Sequence, residues 1–282
     1  MKFRFSKKIT IIGCILILAM LRLSYWQWQR HLSKIEYIKV LQQRLEMPVS
    51  NINEILEKNT DLAQIAYRRL NIEGEYDFSK EIVLRNRRLD DIPGVYILTP
   101  LKITGRNEYI LVSRGFAPLG YTTQDKRHIF QKNAPKKFLG LIKDAQEKRI
   151  FAPSDPESGN GAPWVDSWLR VDIKKISLQL PYPLLPFYAE VMTAENTSDT
   201  QAKILTAKSG RDDMFFLAGK SGIPAAVKEE DLAKYPVAVY DTVIPPARHL
   251  GYVFEWAIMA LMTFLICLIL QFKRPKSEPQ IS

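Results

Sequence analysis

Cysteine is nearly absent from this chain. Its two cysteines, Cys14 and Cys267, both lie inside apolar end segments. The stretch between them can therefore form no disulfide and presents no thiol, which permits an oxidising compartment without requiring one. Histidine is almost as scarce, with only His31, His128 and His249. A Ser-His-Asp triad in the middle of the chain would have to use His128, which sits beside Lys126 and Arg127 in a polar stretch that reads as a solvated loop. No P-loop, Gly-x-Ser-x-Gly, His-Glu-x-x-His or Cys-x-x-Cys occurs, an absence that is weak evidence by itself; the expectation is a non-enzyme. The competing reading, a membrane-anchored exterior enzyme such as a hydrolase, needs a nucleophile and base that no motif displays. Also missing is a basic stripe with interleaved aromatics, which removes nucleic acid as a partner.

What the chain has in excess is positive charge, +10 formally, and its placement is informative. Lys2, Arg4, Lys7 and Lys8 precede the first apolar run, and Lys273, Arg274 and Lys276 follow the last. The first run, Ile9 to Trp28, is apolar apart from Thr10, Arg22, Ser24 and Gln27. As a helix it is about 30 Å long, enough to cross the hydrocarbon core. A signal-peptide cleavage site wants small residues, whereas Leu23, Tyr25, Trp26 and Trp28 stand at the exit. These rings suit an interfacial aromatic belt, so the segment reads as an uncleaved anchor. The second run, Leu250 to Phe272, carries one charge, Glu255. Lysine and arginine flank the outer ends of both runs, and the positive-inside rule puts both termini in the cytoplasm or its organellar equivalent.

The expected organisation is thus a membrane protein with two transmembrane α-helices flanking a mainly-β (α+β) exterior domain. Residues 1–8 are cytoplasmic, 9–28 and 250–272 cross the bilayer, 29–249 form the exterior domain, and 273–282 are cytoplasmic. In a bacterium the chain lies in the inner membrane with its domain in the periplasm. In a eukaryote it lies in the mitochondrial inner membrane, facing the intermembrane space. Arg22 and Glu255 fall at similar depths in the outer half of the two spans, where ionisable groups are costly. Either they pair across a helix contact, or each snorkels separately to the interface.

Leu32, Ile35, Ile38, Leu41 and Leu45 continue a helical period past the first span, which predicts one helix ending before Pro48. Asn51–Lys58 predicts a short helix with Asn51 as its cap. Alternation then predicts strands at Arg69–Gly74, Glu81–Leu84, Gly94–Leu101 and Glu108–Val112, the last two joined as a hairpin by a turn with Gly105 and Asn107. Lys137–Lys143, Trp168–Ile173 and Phe187–Thr193 are further candidates, and Phe151–Pro163 reads as a loop. At the mouth of the second span His249, Tyr252 and Trp256 fall within about 60° of one another on a helix. A histidine there can ligate a metal or haem iron, or it can simply belong to an interfacial aromatic belt.

Five segments, in order along the chain, resemble the Surfeit locus protein 1 family, assembly factors of the haem-copper cytochrome c oxidase. They are Trp26-Gln27-Trp28-Gln29-Arg30 with Lys34; Tyr67 to Tyr76, which holds Gly74; Asn86-Arg87 with Gly94-Val95-Tyr96 and Thr99-Pro100-Leu101; Leu111 to Pro118, which holds Arg114-Gly115; and His249-Leu250-Gly251-Tyr252 with Trp256. Trp168 and Asp172 match a weaker central motif. Phe116 stands where the family has tryptophan, and residues 197–240 read as a surface insertion. The resemblance implies a protein that helps place haem a into oxidase subunit 1, alongside other oxidase assembly factors and membrane lipid. It implies His249 as the haem-iron ligand, with Tyr252 and Trp256 packed on the macrocycle. Arg114 or Arg30 would then pair a propionate, the other reading of Arg114-Gly115 being a structural turn. The alternative function is a scaffold that holds oxidase subunits without touching haem.

Overall fold

The computed structural model describes residues 2–3, 5–58, 61–89, 92–132, 134–148, 152–159, 161–192, 229–239 and 246–273. In chain order the elements are β1 (Lys2–Phe3), α1 (Lys7–Glu46), β2 (Ser50–Asn51), α2 (Ile52–Glu57), α3 (Leu62–Ile65), β3 (Arg69–Tyr76), β4 (Ile82–Leu89), β5 (Ile92–Ile103), β6 (Tyr109–Pro118), β7 (Lys137–Asp144), β8 (Ser167–Trp168), α4 (Ile173–Ser177), β9 (Leu184–Val191), α5 (Pro246–Leu270) and β10 (Phe272–Lys273). They form two compact units, Met1–Val40 with Ile244–Ser282, and Leu41–Val243.

The first unit holds α1 up to Val40 and α5, with β1 and β10. The helical period that continues past the first span is real: α1 runs unbroken for 40 residues and stops before Pro48, because proline disfavours helical geometry in the residue before it. Pro246 opens α5, where a missing N–H costs nothing and φ is already set for a helix. Both helices turn large apolar side chains outward. Ile12, Ile15 and Leu18 on α1, and Phe254, Ile258, Leu261 and Ile269 on α5, are exposed. Exposed apolar stripes on two helices long enough to span are the signature of chains dissolved in lipid, and the protein is a membrane protein. At the far ends β1 pairs antiparallel with β10, bringing Lys2 opposite Lys273.

The second unit is built on an eight-stranded sheet, ordered β2-β3-β7-β9-β6-β5-β4-β8, in which β3 also pairs with β5. That extra pairing closes β3, β7, β9, β6 and β5 into a ring. Closure leaves those strands without a free edge. Alternate residues separate two cores, as strand periodicity demands. Leu70, Ile72, Leu101, Ile103, Ile110, Val112, Phe138, Ile142, Phe187 and Ala189 pack together with Ile52 and Ile55 of α2. The intervening Leu98, Leu111 and Tyr188 pack instead with Ile82 and Leu84 of β4, Trp168, Val171 and α4. The β5–β6 hairpin forms at the predicted turn. The expected strand at Trp168–Ile173 is a correction: only Ser167–Trp168 is extended, and Ile173 already begins α4. The reason is Asp172, whose carboxylate accepts a hydrogen bond from the Lys175 N–H and starts a helix there.

Most of 197–240 lies outside the described residues. Its end does not lie free on the surface: Leu232 and Tyr235 pack against Ile97, Ala117 and Phe130. Val237 exchanges backbone hydrogen bonds with Phe116 at 2.7 and 3.0 Å.

Between β3 and β4, Asp77 accepts from the Ser79 N–H at 3.1 Å, the Ser79 hydroxyl at 2.6 Å and the Tyr182 hydroxyl at 2.7 Å. Burial alone would push this carboxyl up, but the bonds from Ser79 and Tyr182 together outweigh it and hold it below the ordinary range. A depressed folded-state pKa contributes stability above the unfolded value of about 3.9, and that stability is lost as pH falls through the folded value. Denaturation of Asp77→Asn as a function of pH is expected to show a flatter acid limb below about pH 4 than the parent.

Candidate functional site

The less exposed positions of α1 recur at alternating steps of three and four: Thr10, Gly13, Ile17, Met20, Ser24, Gln27 and His31. On α5 the corresponding positions are His249, Val253, Trp256, Ala260, Thr263 and Cys267. This spacing is that of a left-handed antiparallel helix pair. The seam includes the small residues Gly13, Ser24 and Ala260 and the polar Thr10, Gln27 and Thr263, residue types usual where helices meet in lipid. Gln271, just past α5, donates to the Thr10 hydroxyl at 3.3 Å. A Cβ on Gly13 would collide with the Cys267 sulfur, so a larger residue there requires that side chain to move. The Ser24 hydroxyl donates to the Val253 carbonyl at 3.0 Å, and His249 Nδ1 lies 3.0 Å from Gln27 Oε1.

The seam therefore joins the first and last of the five motifs. Gln27 and His249, 222 residues apart in sequence, meet through their side chains. Tyr252 and Trp256 share the half-buried face of α5 with His249. On α1, the Arg30 guanidinium lies 5.8 Å from the Trp26 ring centre, and the rings of Trp28 and His31 are 5.7 Å apart. Arg30, His31, Lys34 and Arg248 are all close enough to His249 to act on it electrostatically. The arrangement offers an imidazole, aromatic faces and positive charge in one place, which suits an apolar, anionic, metal-bearing ligand.

Arg22 and Glu255 do not pair. Each lies two residues from a seam contact, Ser24 and Val253, and two residues are about 200° of helix, so both point away from the seam. Both are exposed, and Arg22 instead lies over the Tyr25 ring, 6.0 Å from its centre. Glu255→Gln is accordingly expected to leave helix association within about 0.5 kcal/mol of the parent, as read by thermal unfolding in detergent.

Arg114 is not available to a propionate. It is 3% exposed, and it donates to Glu81 at 2.6 Å, to the Thr99 hydroxyl at 3.0 Å and to the Phe130 carbonyl at 2.6 Å. Arg114-Gly115 is a β-bulge rather than a turn. Ile97 pairs with Gly115 and Leu98 with Ser113, leaving Arg114 as the extra residue of β6. Gly115 takes φ +122°, and a Cβ there would strike the Val237 carbonyl. Glu81 also binds Arg127 at 3.2 Å, and Arg127 in turn pairs with Asp166. The stretch around His128 is thus solvated at Lys126 and His128 but not at Arg127, which is 1% exposed. The sequence carries a signal for this network: Glu81 directly precedes the apolar run Ile82–Leu84, and Arg114 interrupts the mostly apolar β6.

Gly74 and Gly94 lie in β3 and β5, where a Cβ would meet the carbonyls of Lys102 and Ala117. Phe116, the departure from the family pattern, is fully buried, with Tyr96 6.5 Å and Tyr235 6.3 Å away. Ser113 lines a cavity of about 20 Å³ with Tyr96, Gln146, Tyr188 and Glu190, room for a single water.

The model of the SURF1 family matches residues 14–261. A SURF1-like protein of Rickettsia bellii (strain RML369-C) is 26% identical over 185 residues, 64% of this chain and 69% of that protein. A SURF1-like protein of Monosiga brevicollis is 28% identical over 155 residues, 51% of this chain and 58% of that one. Surfeit locus protein 1 of Homo sapiens is 28% identical over 152 residues, 48% of this chain and 49% of its own length. The matches span about half to two thirds of these relatives. The family match runs from within α1 to within α5 and takes in both halves of the Gln27–His249 contact, and the chain belongs to the SURF1 family.

Proposed function

We propose that this protein is an assembly factor for a haem-copper cytochrome c oxidase, receiving haem a as cargo and passing it toward the catalytic subunit. Family membership supports the oxidase assignment. The observation that carries the haem reading is the meeting of Gln27 and His249 at one end of the helix pair. An imidazole with one nitrogen already engaged, two half-buried rings on the same helix face and four basic side chains nearby match the three parts of a haem: iron, macrocycle and propionates. His249 would hold the iron, Tyr252 and Trp256 would lie against the ring, and Arg30 or Arg248 would face the carboxylates. Arg114 has no part in this. The haem supplies the redox-active iron, while the protein binds, orients and releases it, so no catalytic turnover is expected. The helix pair would sit in a bacterial or mitochondrial inner membrane, with the β unit on the outer side and the oxidase subunits as partners.

The test is the optical spectrum of protein purified from cells that make haem a. The wild type is expected to carry a Soret band, and His249→Ala to lose it while keeping its β-sheet circular dichroism. An equal band in both would remove His249 from the mechanism. Oxidase subunits co-purifying with pigment-free wild-type protein would establish the scaffold reading instead.

A further inference from the structure

We infer that Gln27 is a positioning residue that holds His249 in the Nδ1–H tautomer, so that Nε2 carries the lone pair offered to a metal. The geometry is direct. The Gln27 amide oxygen lies 3.0 Å from His249 Nδ1. With the amide assigned so that its oxygen faces the ring, and an amide oxygen carrying no proton, Nδ1 is the donor. A neutral imidazole with its proton on Nδ1 leaves Nε2 as an acceptor or a ligand. The contact is also held in place. Ser24 and Val253, about one helical turn further along each helix, are joined at 3.0 Å, which fixes how the two seams face each other at this end.

Metal-bound histidines almost always give their second N–H to a carbonyl or carboxylate, which sets the tautomer and the ring orientation. In this chain the second-nitrogen partner comes from the other end of the sequence. The ligand is therefore complete only when α1 and α5 are assembled, a requirement invisible to either motif alone. Glutamine provides the acceptor without placing a second ionisable group next to the bilayer, where a carboxylate is costly. The tautomer assignment stands on the helix contact. Only the identity of the metal, a haem iron, rests on the function proposed above.

The experiment uses full-length protein in detergent with ¹⁵N-labelled histidine. Only His31, His128 and His249 contribute signals, and His249→Ala identifies the third. Long-range ¹H–¹⁵N correlation is expected to show His249 protonated on Nδ1 in the wild type and in Gln27→Glu, and shifted toward Nε2–H in Gln27→Leu. The same three proteins are then titrated with hemin. Gln27→Leu is expected to bind about tenfold to a hundredfold more weakly than the wild type. Gln27→Glu is expected to restore binding and to lower the iron midpoint potential, because a carboxylate makes the imidazole a stronger donor; a merely space-filling role would not move that potential. A wild-type His249 protonated on Nε2, or a tautomer unmoved by Gln27→Leu, overturns the inference. If the tautomer responds as expected but hemin binds none of the proteins, the haem reading falls and the tautomer assignment stands.

Discussion

Replacing Glu81 with glutamine is expected to destabilise the β unit by roughly 3–5 kcal/mol, the range for removing one partner of a buried ion pair. Glu81 is 1% exposed and is bound by Arg114 at 2.6 Å and Arg127 at 3.2 Å. Neutralising it leaves two buried guanidinium groups with, among the described residues, Asp166, which is one-third exposed, as their remaining acidic partner. The Thr99 hydroxyl also donates to Glu81, and Arg114 further ties the network to the Phe130 carbonyl. Loss of this one charge therefore strains contacts among β4, β5, β6 and the Arg127–Phe130 turn together. Chemical denaturation followed by tryptophan fluorescence reads the effect. Combining Glu81→Gln with Arg114→Met is expected to cost less than the two changes summed, because the second removes a charge the first left unpaired. Strict additivity would show that the pair is not coupled.

The second large effect is expected from the helix seam. In a variant with Gly13, Ala260 and Cys267 all changed to leucine, both helices remain apolar and long enough to span. The tight Gly13–Cys267 contact is lost, because even a Cβ at Gly13 would meet Cys267. Haem retention should then fall to the level of His249→Ala although His249 itself is unchanged. The β unit has its own cores and should keep its unfolding midpoint. Retained pigment in this variant would mean that His249 works without its partner helix, and that α1 serves only as an anchor.

Elements that depend on local pattern are legible in the sequence. Alternation from Arg69 to Val112 marks β3 to β6, and the long period from Leu32 to Leu45 marks the extension of α1. Trp168–Ile173 misleads because its apolar residues serve two elements, and the cap at Asp172 decides where one ends. Ring closure is not legible, since pairing of β3 with β5 as well as β7 is a long-range choice that no single strand's pattern encodes. At the site, the stripe of His249, Tyr252 and Trp256 follows from helix geometry alone. Its orientation toward Gln27 does not, because that requires the relative rotation of two helices separated by most of the chain. The same rotation decides the Arg22–Glu255 question. Similar depth in the bilayer is necessary for a pair, but facing the seam is also required, and about 200° of helix separates each residue from it. Arg114 passes for a ligand candidate because an arginine in a motif looks alike whether it points into a core or out of it. Glu81, its partner, carries the missing information.

The central claim is that α1 and α5 pair so that the motifs at the two ends of the chain form one site. Disulfide cross-linking in native membranes tests it most directly, in a background with Cys14 and Cys267 replaced by alanine. Ser24→Cys with Val253→Cys is expected to link efficiently on mild oxidation, and Arg22→Cys with Glu255→Cys is expected not to. Efficient linking of the second pair with none of the first would place the helices in the opposite rotation, with Gln27 and His249 apart, and would contradict the account.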